Sequence, residues 1–318
     1  MSRSVRPAQR RPALRLALRL SLGACAALVL TAALVDAQLF KLTREQVIEI
    51  TADNPFDRFP DGRPKIPDAL VEQAKGMSAE DVWAVLPGKN YRNQWADGFQ
   101  LLHPGTKMAG RAFTAQFMPT RPDIMGALTA NATKAGIQSY THQYALDLLQ
   151  PGDVFVADLF GKGAEGTIVG DNLFYYVYKA TRGAGIVVDG SVRDLEGLND
   201  IPMPAYYRHA HPTPIREVML TGINVPVRIG DATVNPGDLV FGDREGVYFI
   251  PPSLVQGILD RADETHIHDE WTKRKFDEGK YKSQEIYGSP RDPALKKEYE
   301  DYLAKKLAEL KAQRAQKK

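Results

Sequence analysis

The chain has 318 residues, 43% apolar and 25% charged, with 26 glycines and 21 prolines. That composition belongs to a folded globular protein of one large or two small domains and excludes a disordered or collagen-like chain. The formal charge of +2 gives no indication of nucleic-acid binding, and it is unevenly spread: residues 1–37 hold six arginines and one acid, which leaves 35 basic and 38 acidic residues and a net charge of −3 in the remainder.

The first predicted element is an export signal. Arg3 to Arg19 form a basic region, an uncharged run of 16 residues follows over 20–35, and Val35-Asp36-Ala37 is an acceptable cleavage site. The run is shorter than the roughly 20 residues of a bilayer span, so cleavage near Ala37 is preferred over a retained anchor. The protein is accordingly expected in the periplasm or outside the cell, without membrane attachment after cleavage. Cys25, the one cysteine, lies in this run, so the mature chain has no disulfide, thiol nucleophile or cysteine-ligated metal.

Thr43 caps a predicted helix over 43–53, a proline-rich stretch follows, and helical spacing returns over 68–86. Residues 105–117 alternate as a strand, and 122–136 look helical. The centre is the clearest part. A turn at 151–153 leads into a buried-type strand at 154–158, a glycine-rich loop at 161–166, a helix at 171–182 and a second strand at 185–189. This βαβ rhythm predicts parallel pairing. Short strands follow at 216–220, 224–229, 238–241 and 246–250, then charged helices over 253–278 and 296–317. Trp83, Trp95 and Trp271 are read as packing anchors.

Two features of the centre carry chemistry. The helix start at Gly170-Asp171-Asn172-Leu173 offers backbone amides and a helix dipole to a carboxylate or phosphate, although Asp171 also reads as an ordinary cap. Arg193 and Asp194 follow a strand, where α/β proteins bind ligands. Arg193 is suited to clamping a carboxylate and Asp194 to holding a hard cation, while an internal ion pair is the plain alternative. The run 161–166 also matches a dinucleotide fingerprint, with Asp189 at the ribose position, but residues 167–170 separate it from the helix that ought to begin within it. His266 and His268 are two apart on a helix and share no face for a metal; His209 and His211 read as surface or structural.

The segments AGRAFTAQF, GDVFVAD, GDNL, GIVVDGSVRD and NPGDLVFGDREGVYFIP, with a trailing EIY at 285–287, resemble in order and spacing the RraA-like family, which includes the 4-hydroxy-4-methyl-2-oxoglutarate and 4-carboxy-4-hydroxy-2-oxoadipate aldolases. The resemblance implies an α/β fold, a swivelling-type α-β-β-α sandwich over 105–287. Around it lie the signal at 1–37, an N-terminal helical extension at 38–104 and a charged C-terminal tail at 288–318. It implies a homotrimer or hexamer with sites between subunits. The amides of Gly170, Asp171, Asn172 and Leu173 and the side chain of Arg193 would then hold the carboxylate of a small α-keto or hydroxy acid. Asp194 would bind Mg2+, Mn2+ or another divalent cation, largely through waters, and Asp171 would assist a water on that ion. Glu270, or almost equally Asp269, would complete the metal site from a neighbouring subunit, and Glu196 or Asp200 is the acid after the Arg-Asp pair. The implied activity is cleavage of a 4-hydroxy-2-oxo acid, or decarboxylation of oxaloacetate, through a pyruvate enolate. The alternatives are a non-catalytic regulatory protein of the same fold, a role set against export, and a dinucleotide-dependent oxidoreductase.

Overall fold

Thr43 caps the first helix in the computed structural model, which describes residues 41–316; the expected export signal lies outside the described residues. Thr43 Oγ1 accepts from the Gln46 amide at 3.2 Å, and Gln46 Oε1 accepts from the Thr43 amide at 2.8 Å, a reciprocal box that opens α1 (Arg44–Ile50). The helical spacing over 68–86 divides into α2 (Asp68–Ala74) and α3 (Ala79–Trp83), because Gly76 ends the first and a second capping box, Ser78 with Asp81, begins the next.

Strands β1 (Trp95–Ala96), β2 (Gln100–Leu102) and β3 (Met108–Pro119) follow, then α4 (Pro122–Lys134) and α5 (His142–Asp147). The central unit is β4 (Asp153–Asp158), β5 (Thr167–Val169), α6 (Asp171–Thr181) and β6 (Ile186–Val192). After it come α7 (Leu195–Asn199), β7 (Ala205–Ala210), β8 (Val218–Ile223), β9 (Val227–Ile229), β10 (Ala232–Val234), β11 (Leu239–Gly242) and β12 (Val247–Ile250). Three helices close the described chain: α8 (Val255–Asp277), α9 (Ser283–Ile286) and α10 (Pro293–Gln316). No helix among the described residues is long and apolar enough to cross a membrane.

The main sheet has the order β1-β12-β11-β3-β4-β6-β7-β2, with β5 also on β6 and β8 also on β3. Strands β3, β4, β6 and β7 are mutually parallel, as the βαβ rhythm requires, and antiparallel strands flank them. The long β3 pairs with β11 through its first residues and with β8 through its last, with a register break at Gln116/Phe117 that curls the sheet.

Both faces of the central strands are buried, and alternate side chains divide between two cores. Phe113, Phe155, Ala157, Ile186 and Val188 face one core, where Phe174 and Val177 of α6 pack. Ala112, Val154, Val156 and Val187 face the other, with Val227, Ile229 and Val234 of the β9–β10 hairpin. A third core lies where α2, α3 and α8 cover β11 and β12 through Val71, Val82 and Ile258 against Phe241 and Ile250. The mixed α/β sandwich expected from the sequence is therefore present, with added helices at both termini.

The predicted tryptophan anchors divide. Trp271 is fully buried in a small core with Ile286 and Leu295, whereas Trp83 and Trp95 are exposed. Trp83 sits at the end of α3 on the side away from Val82, so helical phase places it in solvent.

Candidate functional site

Helix α6 begins without a side-chain cap: its N-cap is Gly170, whose carbonyl accepts the Phe174 amide at 2.9 Å. Asp171 Oδ1 accepts the amide of Asn172 at 2.7 Å. The first turn thus points amides and the positive end of an 11-residue helix outward, with Asp171 and Asn172 exposed and Leu173 half-buried. Phe174 and Val177 face inward, while Tyr175 and Tyr176 are exposed, so the aromatic run does not crowd this end.

Arg193 reaches the same place by a different route. It is the residue after β6, and its amide donates to the Val169 carbonyl at 3.1 Å, which lays it beside the end of β5 and the start of α6. Asp194 follows with φ of 61°, a left-handed conformation that aspartate tolerates better than most residues, and turns the chain into α7. Gly170 has an ordinary φ of −109°, so its glycine is required for space and not for backbone freedom. A Cβ there would collide with Asp194 Oδ2 and lie 3.0 Å from Arg193 Nε. On the other side, a Cβ at Gly197 of α7 would come 2.9 Å from Cβ of Asp171. Gly170, Asp171, Arg193 and Asp194 therefore share one place at the surface.

Arg193 Nε and Asp194 Oδ2 are 3.5 Å apart, with the two side chains 40% and 42% exposed. That is a loose, solvated pair, and the guanidinium retains donors for a ligand anion. The Asp194 oxygens accept no hydrogen bond from the described residues, which suits a hard cation. Among the described residues no three His, Cys, Asp or Glu side chains are grouped to hold a metal. One or two protein oxygens with water completing the shell is the habit of Mg2+.

Glu270 lies on α8, where its carboxylate accepts from Tyr302 Oη and Lys306 Nζ of α10, each at 2.7 Å. These contacts hold its carboxyl below the usual range. Within one chain it is committed to α10, and service as a ligand for a neighbouring subunit requires exchange of the Lys306 contact. Asp269 lies 3.7 Å from His268 Nδ1. Glu196 and Asp200, at the two ends of α7, are exposed. Three histidines have partners within the fold: His266 Nε2 is 3.0 Å from Asp81 Oδ2, His268 Nε2 is 2.8 Å from the Gly288 carbonyl, and His211 Nδ1 is 2.9 Å from Thr213 Oγ1.

The glycine loop at 161–166 opens no helix. Strand β5 intervenes before α6, and Ser191 Oγ donates to the Lys162 and Gly163 carbonyls at 3.1 and 2.6 Å, which closes the loop against β6. Sequence reasoning overlooked a charged group shared by β4, β6 and β7. Asp158 and Asp189 are register partners, and burial aided by the Asp189 charge pushes the Asp158 carboxyl up. Arg208 Nε donates to Asp189 Oδ1 at 2.7 Å, and its guanidinium lies 3.9 Å over the Phe99 ring. An acid closing each of the apolar runs VFVA and IVV was the available signal; Arg208 carried none.

Comparison with known proteins places these features in a family. The family model described as RraA-like, aldolase/RraA, matches residues 66–249. A Halalkalibacterium halodurans protein named as a candidate 4-hydroxy-4-methyl-2-oxoglutarate aldolase is 34% identical over 125 residues, 39% of this chain and 58% of that one. Protein DlpA of Legionella pneumophila is 26% identical over 179 residues, 56% of this chain and 27% of its own. The matches thus span little more than half of these relatives' length at most. The crystal structure of Streptomyces coelicolor RraAS2, described as an unusual member of the RNase ES inhibitor RraA protein family, superposes with a TM-score of 0.58 at 30% identity, covering 66% of this chain and all of that one. An uncharacterised Pseudomonas syringae protein shares the fold at 21% identity and a TM-score of 0.55. With more than half of its length matched by the family model, this chain belongs to the RraA-like (aldolase/RraA) family.

Proposed function

We propose that the protein is a divalent-metal-dependent carbon–carbon lyase acting on a small 4-hydroxy-2-oxo acid or on oxaloacetate. The observation that carries this reading is the convergence on Gly170: an open helix start, a solvated guanidinium and a solvated carboxylate meet where only a glycine leaves room.

The first-turn amides of α6 other than that of Asn172, which Asp171 holds, and the guanidinium of Arg193 bind and orient the substrate carboxylate by charge-assisted hydrogen bonds. Asp194 is the protein oxygen donor for Mg2+ or Mn2+. Such a cation, when bound, supplies Lewis acidity for the charge that develops on the 2-oxo oxygen as the C–C bond breaks. Asp171, held by the Asn172 amide and flanked by α7, takes the proton of the 4-hydroxyl group. For oxaloacetate no hydroxyl proton has to move, because carbon dioxide leaves directly; in both reactions the enolate then takes a proton from water at its methylene carbon to give pyruvate. The half-exposed side chains are consistent with completion of the site by a second copy of the chain in a trimer or hexamer, with Glu270 contributed across the interface. Export to the periplasm or beyond is part of the same proposal and is tested by N-terminal sequencing of the mature protein.

The decisive experiment measures pyruvate release from a panel of 4-hydroxy-2-oxo acids and oxaloacetate, with Mg2+ or with EDTA. EDTA-sensitive release from at least one compound, abolished in Arg193→Ala, is expected. No product from any of them points instead to a binding protein that keeps the fold without the reaction.

A further inference from the structure

The glycine loop at 161–166 opens no helix, but it braces one flank of the Gly170 site. Strands β5, β6 and β7 lie side by side with their ends in register. The Arg193 amide donates to the Val169 carbonyl at 3.1 Å, and the His211 amide donates to the Val192 carbonyl at 3.0 Å. Gly170, Arg193 and His211 therefore stand in one row, with neighbours about 4.8 Å apart, the spacing of paired strands. Side chains alternate along β6, so Val192 enters the core while Ser191 and Arg193 leave on the other face. The glycine loop covers that face at Ser191, whose hydroxyl donates to its Lys162 and Gly163 carbonyls. Thr167 Oγ1 of β5 donates to the His211 carbonyl at 3.2 Å, so the chain bends over the same face at His211.

The His211 ring is oriented by donors. The Glu165 amide donates to Thr213 Oγ1 at 2.7 Å. Thr213 in turn presents to His211 Nδ1 its hydroxyl at 2.9 Å and its amide at 3.3 Å. Nδ1 is an acceptor in this network, which assigns the ring proton to Nε2. Nε2 meets no hydrogen-bond partner among the described residues, and His211 is half-buried. The ring edge away from Thr213 thus offers a donor of fixed tautomer in the row of the Arg193 guanidinium. The segments that hold Thr213 add positive charge. Lys162 is only loosely paired with Glu165, at 3.9 Å, and Arg216, whose amide donates to the Glu165 carbonyl at 2.9 Å, is exposed. A flank of donors and cations suits an anionic oxygen.

We propose that His211 is a specificity-determining residue of this site, and that its Nε2–H donates to a second carboxylate, carried at the other end of the substrate from the one held by α6 and Arg193. The inference rests on the lyase reading for the first carboxylate. A site built to meet that second group favours a 2-oxo acid with an acid at both ends over one that ends in an alkyl group.

The test is isothermal titration calorimetry of the protein with Mg2+ and two ligands of equal carbon number that lack a 4-hydroxyl, 2-oxoglutarate and 2-oxopentanoate. The wild type is expected to bind 2-oxoglutarate at least tenfold more tightly. In His211→Ala the preference is expected to fall to within twofold, through loss of 2-oxoglutarate affinity alone. His211→Gln, whose amide nitrogen stands in for Nε2, is expected to restore part of it. Nitrogen-15 NMR of the wild type needs no variant: a histidine in the Nε2–H form is expected whose ring signals shift with 2-oxoglutarate and stay in place with 2-oxopentanoate. Equal affinity for the two ligands, an unchanged preference in a folded His211→Ala, or the absence of such a histidine overturns the proposal. If 2-oxopentanoate still binds in a manner that Arg193→Ala abolishes, the lyase reading survives that result; binding of neither ligand overturns both.

Discussion

At Gly170 a single hydrogen atom in place of a side chain decides whether two charged groups and a helix start can occupy one site. Gly170→Ala forces Asp194 or Arg193 aside, so pyruvate release should fall at least tenfold while melting temperature drops by the equivalent of about 1–3 kcal/mol, the usual range for overpacking. A variant with unchanged turnover would place the chemistry elsewhere. Arg193→Lys keeps the charge but loses the planar fork, and is expected to raise KM about tenfold or more, on the order of 1.5–3 kcal/mol for a hydrogen bond to a charged group. Asp238 gives a pH signature. Its carboxyl lies near 3.8 in the unfolded chain and is raised to about 7 by burial, so the folded state holds an extra proton between those values. Stability is therefore greatest below the lower value and declines as pH rises through 7, by about 4 kcal/mol for a shift of this size. Asp238→Asn should flatten that decline in urea titrations between pH 4 and 8. A slope that survives would belong to other buried acids, Asp158 included, whose carboxyl burial also pushes up.

Among the elements, β4, α6 and β6 were legible because each states its own period. VFVAD is a continuous apolar run because both faces of the strand are buried, and the inward face of α6 repeats at Phe174, Val177 and Thr181. The helix over 68–86 was less legible: both halves share an apolar stripe, and only the local cap at Ser78 marks the break. Helix α10 read as a charged helix, and most of it is exposed. It is nevertheless tied to α8. Arg314 is bidentate to Asp263 at 2.5 and 2.7 Å, Lys275 contacts Glu298 at 2.8 Å, and Tyr299 packs 5.1 Å from the Trp271 ring. Each of these pairs keeps one partner in solvent and adds modestly, and the buried indole is the main anchor. Trp271→Ala should cost about 3–5 kcal/mol and make α10 susceptible to limited proteolysis, whereas Lys306→Ala should leave the melting temperature nearly unchanged.

At the scale of the whole molecule, residues before β1 are built into the core. Arg63 is fully buried with Phe59 and Phe113 against its guanidinium, and it reaches Asp153 at the start of β4 through two bonds of 3.0 and 3.2 Å. Arg111, also buried, donates to the Ile66 carbonyl at 2.7 Å from the adjoining strand. Removing one member of a buried pair leaves the other charge without a partner, so Arg63→Ala should destabilise the fold by about 3–5 kcal/mol, read from chemical denaturation. A cost below 1 kcal/mol would show that solvent enters there.

The sequence by itself determined the local periods, the caps, the uneven charge and the order of motifs that marks the family, because each depends on neighbours within a few residues along the chain. It also brought Gly170, Arg193 and Asp194 into one hypothesis. Only the tertiary structure decided that Gly170 is needed for room and not for backbone freedom, that Glu270 is held by Lys306, and that Arg63 and Arg208 have their carboxylates. Those facts depend on side chains that meet across 19 to 90 positions of sequence, and such meetings are set by sheet order and register, which no local pattern encodes.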